Sequence, residues 1–70
     1  MKKTVYNLPE YAKNYKYIVV NHDEETGDLW FYGAWNDVSK ASEAVAEVDF
    51  RFTLEVSEVD LEKVMTFPRG

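Results

Sequence analysis

The sequence predicts a small two-layer α+β domain of ββαβ type. Its three-stranded antiparallel sheet has the order 2-1-3, with one helix packed on one face and short helical segments near the chain ends. Three observations carry this reading. Two runs rich in β-branched and aromatic residues, Tyr15 to Asn21 and Leu29 to Trp35, flank a polar loop containing Gly27, which is the pattern of a β-hairpin. Val38, Ala41, Ala44, Val45 and Val48 then recur at helical spacing behind the capping side chains of Asn36 and Asp37. Last, Asp49 to Ser57 alternates, with Phe50, Phe52, Leu54 and Val56 on one face and Arg51, Thr53 and Glu55 on the other.

The first strand is apolar on both faces, through Tyr15, Tyr17 and Val19 and through Ile18 and Val20. This places it in the centre, and the third strand pairs with its free edge to give the order 2-1-3. The helix carries a buried stripe of small residues and is expected on the face of Phe50, Phe52, Leu54 and Val56. Before the sheet, Asn7 to Lys13 reads as one helical turn with Pro9 in its first turn and Asn14 as its stop. After it, Ser57 to Asp60 resembles a capping box opening a short helix through about Met65, with a tail beyond. The chain divides as one domain: an N-terminal segment over 1–14, a ββαβ core over 15–57, and a short helix and tail over 58–70.

Seventy residues lie near the lower limit for a chain that folds on its own core, and no cysteine is present to staple it. Aromatic area is the substitute, and it concentrates in "LWFYGAW", residues 29–35, where four rings occupy seven positions. Strict alternation puts Leu29, Phe31, Gly33 and Trp35 on the helix side and Trp30, Tyr32 and Ala34 on the other. Gly33 marks a bulge or a point of close packing. Trp30 and Tyr32 then stand on the open sheet face beside Tyr15 and Tyr17, unless the chain's own ends cover them. These four residues are the expected partner-binding set, because exposed Trp and Tyr are favoured contact residues.

Charge narrows the partner. Within 1–16, four lysines against Glu10 give +3, whereas residues 17–70 set four cations against twelve carboxylates and give −8. So acidic a body repels phosphate backbones and attracts a basic protein surface, so no direct nucleic-acid binding is expected. The carboxylates also suit a mimic of nucleic-acid charge that inhibits a host defence nuclease, of the anti-restriction or anti-CRISPR type. A homodimer formed through the sheet face or an edge strand is the other alternative.

Catalytic and metal chemistry find little footing. His22 is the single histidine, and Ser39, Ser42 and Ser57 sit at helix-surface or capping positions. The acidic loop Asn21 to Asp28 does not match a calcium loop, since glycine falls at its seventh position and Tyr32 at the twelfth. No enzyme, cofactor or metal is expected. No apolar run approaches the ~18 residues of a membrane span, and Met1-Lys2-Lys3 leads into no apolar signal core, so a cytoplasmic protein is expected.

The block from Tyr17 to Val48, with its "YIVV" strand, "LWFYGAWND" junction and "KASEAVAEV" helix, resembles small proteins encoded by phages and prophages of Gram-positive bacteria. The resemblance covers under half of the chain. It implies a phage context, a bacterial host cell, and action by binding a host protein. It implies no functional residue at any position.

Overall fold

Both faces of the first strand are apolar, so each needs a covering layer, and the computed structural model, which describes residues 2–61, supplies both. Strands β1 (Tyr17–His22), β2 (Leu29–Trp35) and β3 (Arg51–Glu55) form an antiparallel sheet in the order β2-β1-β3, with helix α1 (Val38–Ala46) between β2 and β3 in sequence. One-turn 3₁₀ segments occupy Glu10–Asn14 and Val56–Glu58. The fold class, strand order and single packed helix are those expected.

The helix lies on the sheet face opposite to the expected one. Its small residues Ala41 and Ala44 pack on Val19, with Tyr17, Trp35 and Val45 around them. Phe52, Leu54 and Val56 instead join Ile18, Val20, Leu29 and Phe31 under Val5, Leu8, Ala12 and Val59. The sequence between residues 3 and 14 thus forms a third, thin layer. The physical reason is size: the larger core residues need extended chain that follows their contour, whereas the small stripe of α1 admits a close approach to Val19.

A bulge in β2 explains why alternation misplaced its rings. The register runs Asn21↔Trp30 and Val20↔Phe31, then Val19↔Gly33, so Tyr32 is the extra residue. Parity reverses there. Leu29, Phe31 and Ala34 face the N-terminal layer, while Gly33 and Trp35 face α1. The Trp35 indole lies directly over Gly33: a Cβ there would be 2.5 Å from Trp35 Cη2, so any larger residue would displace the ring.

The N-terminal layer begins as a strand fragment. Lys3 bridges Val59 and Tyr6 bridges Trp30, both in parallel sense. Tyr6 accepts from the Phe31 N–H at 3.0 Å and donates to the Leu29 carbonyl at 2.8 Å, which covers that part of the β2 edge. Asn7 then turns the chain with φ of 60°, a left-handed conformation that asparagine tolerates. The helical turn starts later than expected, at Glu10, with Pro9 just before it, and includes Asn14. Ser57 to Asp60 opens no helix: Ser57 and Glu58 close the second 3₁₀ turn and Val59 is the bridge residue. The remainder of the expected helix and the tail lie outside the described residues.

Asp37 caps α1, its Oδ1 accepting from the Ser39 N–H at 2.8 Å. Asp37→Ala is expected to destabilise the domain by about 1 kcal/mol, the usual worth of such a cap, read as a lowered midpoint in chemical denaturation. Val38, placed in the buried stripe by spacing, is 50% exposed, because the helix begins beyond the end of β2.

Candidate protein-binding surface

The four aromatic residues expected to share an open face do not share one. Trp30 is 7% exposed, with the Tyr6 ring 5.1 Å away, so the chain's own N-terminal segment covers it. Tyr17 is half-buried against the α1 cluster. Tyr15 is half-buried and meets Tyr11 edge-on at 6.2 Å. Together Tyr15 and Tyr17 line a shallow groove of about 380 Å³ with Lys16, Glu55, Val56 and Ser57. Tyr32 alone of the four remains exposed, at 43%.

Tyr32 owes its position to the bulge, and it is held there. The Arg51 guanidinium lies 3.6 Å over the centroid of its ring. Trp35 stacks beside it at 6.4 Å and 25°. Arg51 starts on β3 and reaches across β1: Nε donates to Asn21 Oδ1 at 2.9 Å, and Nη1 donates to the Ala44 carbonyl and to Glu47 Oε1, each at 3.0 Å. One side chain therefore joins all three strands to the C-terminal end of α1, where a cation also complements the helix dipole. Sequence reading placed Arg51 on a polar face and assigned it no task. The available signal was its isolation, as the one cation between Lys40 and Lys63.

Antiparallel pairing gathers charge at one end of the sheet. The His22 N–H donates to the Phe50 carbonyl at 2.7 Å, so the β1–β2 loop and the turn before β3 are neighbours. Continuing the register past His22 sets Asp23 opposite Asp49. Asp23, Glu24, Glu25 and Asp28 of the loop, with Glu47 and Asp49, make this end acidic, and Arg51 is its one lysine or arginine among the described residues. The Arg51 side chain is 13% exposed and turned inward, so it screens little of this field. The loop is ordered by its own bonds: Asp23 Oδ1 accepts from the Glu25 N–H at 3.0 Å, and the Gly27 N–H, at φ of 79°, donates to the Asp23 carbonyl at 2.7 Å.

Among the described residues, no three His, Asp or Glu side chains converge to hold a metal ion, and no helix is long and apolar enough to cross a membrane. The arrangement is a contact surface: a braced, exposed tyrosine beside an acidic rim. No family model, curated protein or solved structure matches the chain.

Proposed function

We propose that this chain is a non-enzymatic protein-binding module, phage- or prophage-encoded, whose surface around Tyr32 engages a basic patch on a host protein. One observation carries the reading. Tyr32 is exposed at mid-sheet yet fixed by Arg51 and Trp35, and Arg51 links it to Glu47 at the carboxylate-rich end of the molecule. A ring held in place before binding loses little conformational freedom on contact, which is the property of an interface anchor. The surrounding carboxylates steer a basic partner toward it. The phage and bacterial setting is carried over from the resemblance of Tyr17 to Val48 alone.

The test is retention of host proteins from a bacterial lysate by the immobilised chain. Retention is expected at ~0.15 M salt and loss at ~1 M, where the screening length falls from about 8 to about 3 Å. Tyr32→Ala and the pair Glu24→Gln with Glu25→Gln are each expected to reduce capture at low salt. Capture unchanged in both variants removes Tyr32 and its acidic rim as the contact. Duplex DNA that displaces the captured protein would carry the nucleic-acid-mimic reading instead.

A further inference from the structure

We infer that the outer edge of β3 is a self-pairing edge, and that two copies of the chain join there about a two-fold axis through Thr53 into a continuous six-stranded sheet. The two edges of the sheet are unlike. That of β2 is occupied at Leu29 to Phe31 by Tyr6. Beyond β3 no strand follows among the described residues. The Phe50 carbonyl and the Val56 N–H bond inward, to His22 and Lys16. With a period of two, Phe52 and Leu54 also turn their backbone groups to β1, and Arg51, Thr53 and Glu55 turn theirs outward. A bare edge of this kind is a template for another strand.

The residues along the edge fit a second copy of themselves. Antiparallel pairing centred on Thr53 sets Thr53 opposite Thr53 of the second copy, Arg51 opposite its Glu55, and Phe52 opposite its Leu54. The outward N–H and C=O groups of Arg51, Thr53 and Glu55 are then all used, and an opposed Thr–Thr pair is favourable; the Arg51 guanidinium, spent on Asn21, Ala44 and Tyr32, takes no part. Centring one residue earlier, on Phe52, would set Asp49 against Glu55 of the second copy, two like charges. Centring one later, on Leu54, would set Phe50 against Glu58.

Phe50, just before this edge, is 49% exposed, and the Thr53-centred register lays it against Val56 of the second copy. The surface around Tyr32 lies toward β2, away from the seam, so this inference stands apart from the proposed function.

The experiment is sedimentation equilibrium of the full chain across a concentration series, with circular dichroism to verify folding. The native chain is expected to approach twice its 8.2 kDa mass at high concentration, and exchange of the Thr53 amide is expected to slow as concentration rises. Thr53→Lys and Thr53→Glu each place like charges on the axis and are expected to return the mass to that of one chain. An equimolar mixture of the two is expected to restore the doubled mass. A native chain that stays monomeric, a dimer indifferent to these substitutions, or a mixture of the Thr53 variants that stays monomeric would each overturn the inference.

Discussion

Val5→Asp unfolds the domain. Val5 is fully buried in the larger of the two clusters, among Leu8, Ile18 and Val20. The substitution removes a buried apolar side chain, worth about 1.5–3 kcal/mol, and places a carboxylate among apolar side chains, a penalty of several kcal/mol more. A domain of this size holds only about 4–10 kcal/mol of total stability, at ~0.05–0.15 kcal/mol per residue. The expected result is loss of the cooperative thermal transition followed by far-ultraviolet circular dichroism. Val38→Asp makes the same chemical change at a half-exposed position in the first turn of α1. It is expected to shift stability by no more than about 0.5 kcal/mol. A native-like melt for Val5→Asp would show that residues 3–14 are not half of the core.

Arg51→Met is expected to destabilise the domain by about 2–3 kcal/mol. Methionine keeps the apolar stem and removes every donor, leaving Asn21 Oδ1 and the Ala44 carbonyl without their bonds to the guanidinium. A hydrogen bond from a charged donor contributes about 1.5–3 kcal/mol, and the contact with the Tyr32 ring about 0.5–1 kcal/mol. The ion pair to Glu47 adds little, because that carboxylate is largely exposed. For 60–100 residues, 1 kcal/mol corresponds to about 4–8 °C, so the melting temperature is expected to fall by roughly 10–20 °C. Arg51→Lys is expected to recover little, since one ammonium has neither the fork that reaches two acceptors nor the flat face that covers a ring. A melting temperature within about 2 °C of the native value, well inside the shift expected here, would show that Arg51 does not clamp α1 to the sheet.

These two residues also mark where sequence reading succeeded and where it stopped. The order 2-1-3 was legible because Ile18 and Val20 on one face, with Tyr17 and Val19 on the other, allow β1 no edge position. The bounds of β2 and the cap at Asp37 were legible from local chemistry alone. Face assignment was not, because one extra residue in β2 reverses every side chain after it. Gly33 carried that signal: a glycine in the middle of an aromatic strand was read as marking a bulge or a close contact, and it makes the close contact with Trp35 directly beside the bulge at Tyr32. Carrying the bulge through the pattern would have separated Trp35 from Phe31, leaving Trp35 with α1 on one face and Phe31 on the other. The cover over Trp30 was less accessible. Tyr6 reaches it through a backbone bridge between segments 24 residues apart, and no local periodicity announces such a contact. Arg51 was misjudged because alternation reports the face a side chain leaves from, and a long side chain spends its interactions elsewhere.

The bridge between Lys3 and Val59 has a kinetic consequence. It joins positions near opposite ends of the described chain, and the layer it anchors rests on a sheet that needs β3, the last strand to be made. Residues 3–14 dock on a face that β1, β2 and β3 build together, so their full surface exists only once β3 has joined the hairpin. In folding they are late, after the loop closures that limit the rate. In unfolding they are the first section able to leave without breaking the sheet ladder. The lifetime of the native state is thus governed by a segment that contributes little to how fast that state is reached.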